Sequence, residues 1–190
     1  MDQVRRMPRA QRREQILAAA TRAFARTGFA GTGLDDVAAE AGITRVLLYR
    51  HFDSKADLYR AVLDRACEHL AATVGRDDYD EHSIGALVRA AAADADGFRL
   101  LFHHAAREPE FRDVTDALAA TSVEVAHRNL TAAVPDGPWT RWAAGLLPTF
   151  TTDAVIAWLD AGRPDPDQAA DRIGQAVHGI IAATVRTSEP

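Results

Sequence analysis

At 190 residues and 47% hydrophobic content, the chain is long enough for one large domain or two small ones, each with its own core. Its one cysteine, Cys67, excludes an internal disulfide. No segment approaches the roughly 18 consecutive apolar residues of a membrane span, and the start lacks a signal-peptide core, so a cytoplasmic protein with no membrane partner is expected. The net charge of −5 is unevenly placed: residues 1–60 carry ten Arg and one Lys against seven Asp and Glu, a net of +4, which leaves −9 for the remainder. A basic end attracts phosphate while an acidic remainder stays clear of it.

Taken in chain order, the pattern is helical throughout, with no alternating run between turn signals, and predicts an all-α fold of nine helices. Arg5, Arg6, Arg9, Arg12 and Arg13 form a basic arm that runs into a first helix, expected from Pro8 or Arg9 to Thr27, with Ile16, Leu17, Ala20 and Phe24 on one stripe and Gly28 as its stop. Thr32 and Asp35 have the spacing of a capping box for a second helix with Val37, Ala38 and Ala41 on its apolar side. Gly42 supplies the left-handed turn, Ile43 plugs the corner, and Thr44 caps a third helix from Arg45 to His51. Ser54 and Asp57 make another capping box, opening a long helix to about Val74 through Leu58, Val62, Ala66 and Leu70.

Gly75–Asp80 is an acidic break. A fifth helix through Ile84, Leu87, Val88 and Ala91 is expected to end near Asp96 and Gly97, a sixth to span Phe98–Ala106, and a seventh to start at Glu108–Glu110 and end before Pro135. The last two are expected at Trp139–Ala161 and about Pro166–Arg186, with a kink at Pro148 where Thr149, Thr151 and Thr152 follow.

Two short helices joined by a glycine turn are the grammar of a helix-turn-helix DNA reader. In that frame Arg45 starts the reading helix and is the base-reading candidate, since an arginine there reaches guanine edges in the major groove. Val46 and Leu47 either touch thymine methyls or pack against the first helix. Lys55, the single lysine, sits at a helix start where the macrodipole disfavours a cation, a conflict that a shared phosphate resolves. The hydroxyls of Thr32 and Thr44 cap helices and also suit phosphates, and the arm residues Arg5, Arg6 and Arg9 suit phosphates or a minor groove.

The stretch Thr32–Lys55, TGLDDVAAEAGITRVLLYRHFDSK, resembles the N-terminal domain of the TetR/AcrR family of transcriptional regulators through its A-x-x-A-G-I-T turn and its L-Y-x-H-F-x-S-K segment. The resemblance covers the first third in detail and implies a helix-turn-helix domain over 1–53 and a helical ligand-sensing and dimerisation domain over 54–190. It further implies that Tyr49, His51 and Lys55 contact the DNA backbone. Two departures stand out: Val46 and Leu47 replace a usual glycine and threonine, and Gly33 stands where a small hydroxyl residue is common, which removes one phosphate contact.

The second domain offers Phe98, Phe102, Phe111, Trp139, Trp142 and Phe150, enough aromatic bulk to line a ligand cavity. The ligand candidates are Phe98, Phe102, His103, Trp142 and Phe150. Adjacent His103 and His104 point about 100° apart on a helix, and no His or Cys lies at a four-residue spacing from either, so no metal is expected there, nor any cofactor. Ile156, Ile173, Val177, Ile180, Ile181 and Thr184 make the last two helices apolar on more than one side, as a layer against a twin chain would need.

These expectations combine into a homodimeric, ligand-responsive regulator of the resembled family. A repressor is expected, released from a palindromic operator in double-stranded DNA by a small-molecule effector. The rival classes are a helical adaptor or a small-molecule enzyme with a degenerate reading head. No G-x-S-x-G, H-E-x-x-H or phosphate loop supports the enzyme.

Overall fold

A computed structural model describes residues 7–75 and 82–185, so Arg5, Arg6 and most of the acidic break lie outside the described residues. Nine α-helices follow one another, and no strand occurs among the described residues. Helix α1 spans Arg9–Gly31 and buries Ile16, Leu17, Ala20 and Phe24, the stripe that the spacing predicts. At Gly28 the backbone turns to φ 72°, ψ 178°, values that cost a side-chain-bearing residue dearly, and a further short turn carries the helix on to Gly31. Phe29 thereby folds back, its ring 5.0 Å from Tyr59 and 4.9 Å from Phe111.

That extra turn corrects the expected role of Thr32. Thr32 is 2% exposed, and its hydroxyl lies 2.8 Å from the Gly28 carbonyl and 2.7 Å from the Thr27 hydroxyl. It closes the end of α1. Helix α2, Leu34–Glu40, is instead entered through Gly33, whose N–H donates to Asp36 Oδ2 at 2.7 Å, so the capping carboxylate belongs to Asp36 and Asp35 is left over.

The turn that follows matches its sequence signature. Gly42 takes φ 64°, its N–H donates to the Ala39 carbonyl, and Ile43 N–H donates to the Ala38 carbonyl, the paired bonds of a Schellman ending. Helix α3 spans Arg45–Tyr49, capped by Thr44 Oγ1, which accepts from Leu47 N–H at 3.3 Å. It ends two residues before the expected His51, because the bonds tighten at Arg50 and His51 to turn the chain into the next cap. Helix α4 spans Lys55–Val74. Ser54 Oγ accepts from Asp57 N–H and Asp57 Oδ2 accepts from Asp53 N–H, both at 3.0 Å.

Helix α5 spans Ser83–Ala93, and α6, Ala95–Arg99, runs on as a wider turn over Leu100–His104 and a tight one over Ala105–Arg107. The break therefore falls at Asp94, not at Asp96 and Gly97, and the sixth helix starts at Ala95 rather than Phe98. The cause is a cap: Asp94 Oδ1 accepts from Gly97 N–H at 2.9 Å. Gly97 is needed for room, since a Cβ there would fall 2.5 Å from Asp94 Oδ2. A tight turn over Pro109–Phe111 leads into α7, Arg112–Ala133, followed by α8, Pro138–Asp160, and α9, Pro166–Val185. Pro148 lies inside α8, where the hydroxyls of Thr151 and Thr152 donate back to the carbonyls of Leu147 and Pro148.

One apolar cluster joins Ile16, Phe24, Val37, Leu48 and Phe52 to Leu58, Tyr59, Leu63, Leu101 and Phe111, so it runs across the expected boundary at 53/54. Val88, Phe98, Val155, Trp158 and Ile173 centre a second cluster between α5, α6, α8 and α9. A third joins α7 to α8 through Ala126, Leu130, Ala143 and Leu147.

Loss of the α6 cap gives a test of this architecture. Asp94→Ala is expected to cost about 1 kcal/mol in urea unfolding at fixed protein concentration. Gly97→Ala displaces the same carboxylate, so its cost should be similar and the double variant should lose little more than either alone.

Candidate nucleic-acid interface

The short helix α3 is anchored from below by Leu48 and, just past its end, by Phe52, both buried. With those positions inward, Arg45, Val46 and Tyr49 face out. Val46 is 67% exposed and Leu47 half-buried, which separates the two alternatives left by sequence: Val46 is available to a groove, while Leu47 packs in part against the protein. Helix α2 is held on α1 at three points. Gln15 Nε2 donates to the Ala41 carbonyl at 2.8 Å, and Glu40 accepts from Arg22 at 2.8 Å and Arg26 at 2.7 Å. The two guanidiniums keep the Glu40 carboxyl below its usual range.

Arg45 is held rather than loose. Its Nη1 donates to Asp35 Oδ2 at 2.8 Å, its Nη2 donates to the Tyr49 hydroxyl at 3.2 Å, and its guanidinium lies 5.6 Å from the Tyr49 ring centroid. Sequence spacing gave no sign of the Asp35 contact, because it crosses from the start of α2 to the start of α3 and belongs to neither helix's own periodicity. Gln15 was missed as well; the one signal available was a polar residue at the edge of the α1 apolar stripe.

His51 is half-buried beside Phe52 and faces the first turns of α1. Burial, and then Arg9, Arg13 and Arg12, push its pKa below the ordinary histidine value. Arg13 also stacks 5.1 Å from the Phe52 ring centroid, and Arg9 is exposed at the head of α1. The structure thus gathers Arg9, Arg12, Arg13 and His51 into one basic edge next to α3. Lys55, the first residue of α4, places Nζ 4.4 Å from the centroid of Phe29, which offsets the dipole conflict by a cation–π contact. Thr44 stands exposed at the α3 cap, whereas the Thr32 hydroxyl is spent inside the protein.

The ligand candidates do not come together. Phe98 and Phe102, their rings tilted against each other with centroids 4.6 Å apart, line a groove of about 800 Å³ between α1, α4, α5 and α6, shared with Arg65, His69, Leu70 and Arg163. Phe150 packs into the second cluster, His103 is exposed, and Trp142 meets Trp139 edge-on, ring centroids 6.0 Å apart, on the outside of α8. His104 points back to α1; burial, and then His103 and Arg107, lower its pKa against a bond to the Ala25 backbone. Of the dimer candidates, Ile173 is buried and Ile156, Val177, Ile180 and Ile181 pack half-buried on this chain's own clusters. The Thr184 hydroxyl donates to the Ile181 carbonyl. The outer side of α9 is instead Arg172, Gln175, Ala176, Gly179 and Ala183. No helix among the described residues is long and apolar enough to cross a membrane.

Residues 16–62, which contain α2, α3 and their caps, match the profile of the bacterial regulatory proteins of the tetR family. Over 93% of this chain and 86% of the relative, the sequence is 32% identical to the HTH-type transcriptional activator FasR of Mycolicibacterium smegmatis. A shorter match, 47% identical over 72 residues, covers 36% of this chain and 34% of the HTH-type transcriptional regulator TtgR of Pseudomonas putida. In three dimensions the chain is similar to a TetR-like transcriptional regulator from Rhodococcus sp. RHA1, with a TM-score of 0.79 at 22% identity over 93% of this chain and 99% of that one. These relatives are transcriptional regulators and not enzymes. A helix-turn-helix held on a basic first helix, matched along nearly its whole length by such a regulator, places the chain in the TetR family of bacterial transcriptional regulators.

Proposed function

We propose that the protein acts in the cytoplasm as a homodimer that grips a palindromic operator with two copies of α3 and lets go when a small molecule binds. The observation that carries the proposal is the first turn of α3. Arg45 and Val46 stand exposed there on an anchored helix, flanked by His51, Lys55 and the arginines at the head of α1. Arg45 is assigned to a guanine edge and Val46 to a thymine methyl. Thr44, Tyr49, His51 and Lys55, with Arg5, Arg6 and Arg9 of the arm, are assigned to phosphates. Thr32 drops out of the contact set because its hydroxyl is buried, and Leu47 contributes at most its exposed edge.

The effector is assigned to the groove lined by Phe98 and Phe102. Its walls belong to α1 through Thr21 and Arg22, to α4 through Arg65 and His69, and to α6, so a ligand there presses on both domains. A ligand that favours one spacing of the reading heads over another needs about 1–3 kcal/mol of differential binding to change DNA affinity roughly 5- to 150-fold. Dimerisation is assigned to the outer sides of α8 and α9, with Ile181 and Thr184 at the seam's edge. Trp142 there is exposed, and Ala176, Gly179 and Ala183 leave room for close helix approach. The sign of control depends on where the operator lies relative to the promoter. Repression follows from overlap, and activation is the second reading, favoured by the activator name of the relative matched over most of both chains.

Three measurements test these assignments. In a gel shift on the DNA flanking its own coding region, the protein should bind specifically at moderate salt. Arg45→Ala should then lower discrimination at one base pair per half-site by about 1–3 kcal/mol, and an equal loss on all sequences would take base reading away from Arg45. The low pKa of His51 in the free protein gives a pH test. A phosphate beside it favours the charged ring, so binding takes up a proton and affinity should rise as the solution is made more acidic; His51→Gln should flatten that rise. Finally, Gly179→Arg should turn the dimer into a monomer by analytical ultracentrifugation and weaken operator binding, with helix content unchanged by circular dichroism.

A further inference from the structure

A carboxylate stands in the middle of the surface assigned to DNA. The side chain of Asp35 is 72% exposed, and its Oδ2 accepts from Arg45 Nη1 at 2.8 Å. Asp35 lies in the first turn of α2, where its charge suits the helix dipole, but it makes neither of the local capping bonds. The start of α2 is closed by Asp36, which accepts from Gly33 N–H, and the start of α3 by Thr44. An exposed negative charge beside phosphates weakens binding to every duplex, so raw affinity gives no account of its place. Direction does give one.

The Arg45 guanidinium is held at two points on two helices, by Asp35 from α2 and by the Tyr49 hydroxyl from α3. A long side chain with many rotamers is thereby fixed in one plane, with its other N–H donors left for a base edge. We propose that Asp35 is a specificity-determining positioning residue: it aims Arg45 at one base pair and, by its charge, weakens binding to duplexes that Arg45 cannot engage. It touches no base in this role and acts through Arg45. The inference rests on the assignment of α3 to an operator.

The test uses the full-length protein. Wild type first selects duplexes from a random-sequence library. Dissociation constants are then measured by fluorescence anisotropy for wild type, Asp35→Asn, Arg45→Ala and the double variant. Each is titrated with the selected duplex, with every single base-pair replacement of it, and with random-sequence DNA. Asp35→Asn should bind random DNA more tightly than wild type and lose about tenfold in discrimination, confined to the base pair at which Arg45→Ala also loses it. The double variant should lose no more there than Arg45→Ala alone.

Unchanged discrimination in Asp35→Asn, a loss spread evenly over all positions, or additive losses in the double variant would each overturn the proposal. If Asp35→Asn fails to fold, Arg45→Lys decides: it keeps the charge and the Asp35 partner but lacks the planar fork, so it should lose discrimination at a single base pair while holding random DNA as wild type does. Full discrimination by Arg45→Lys would overturn the proposal. Failure of wild type to select any sequence would instead remove the operator assignment, and the role of Asp35 with it.

Discussion

Helix α4 has to belong to two cores at once, and the rest of the structure depends on that. Tyr59 is buried in its second turn, edge-on to Phe24 of α1 at 4.9 Å and 4.5 Å from Phe111 at the head of α7. Phe29 fills the remaining side only because Gly28 turns the chain back with a positive φ. The four rings place the reading domain, the long helix and the start of α7 in a single packed unit. Close-packed rings do not deform continuously, so a movement of α6 or α7 reaches α1 and α4 as a shift of the whole unit.

Several charged groups of the proposed interface are engaged in the free protein. Arg22 and Arg26 hold Glu40, Arg45 holds Asp35 and Tyr49, and Lys55 and Arg13 rest on aromatic rings. Exposed contacts of this kind contribute little to stability, yet they decide where each cation waits. For Lys55 the waiting place is Phe29, a member of the aromatic unit. A shift of that unit therefore moves the lysine assigned to phosphate along with the start of α4.

Local chemistry was legible in the sequence wherever a backbone conformation demands a particular residue. Gly42 and Thr44 mark the turn of the reading head and Ser54 the start of α4, each found in its expected place. Thr32 was misread because a capping spacing one residue off looks the same in one dimension, and only the extra turn after Gly28 shows that its hydroxyl faces backwards. The fifth helix is expected to end near Asp96 and Gly97, although Gly97 lies within α6 and leaves space for the Asp94 cap. The aromatics of the second domain could not be sorted into groove, core and surface, since helical spacing gives a side and not the neighbour on that side. The same limit hid the inward turn of Ile173 and Val177, and the contact between Asp35 and Arg45.

Magnitudes separate the contacts that lie between the groove and the reading head. The polar bridge at the groove runs from Glu14 on α1 to Arg65 on α4 at 2.6 Å, and from Arg65 to Asp94 at the head of α6 at 3.6 Å. The first of these has a largely exposed partner and the second is long. Partly screened pairs of this kind contribute about 0–1 kcal/mol each, at or below the lower end of the 1–3 kcal/mol that a useful effector needs. Repacking an aromatic pair is worth about 0.5–1.5 kcal/mol beyond the area it buries, and several such pairs meet at Tyr59. The bridge is thus suited to setting the register between α1 and α6. On the proposed assignments, the path from groove to reading head runs through the rings around Tyr59, since Phe102 packs against the same cluster and Lys55 rests on Phe29.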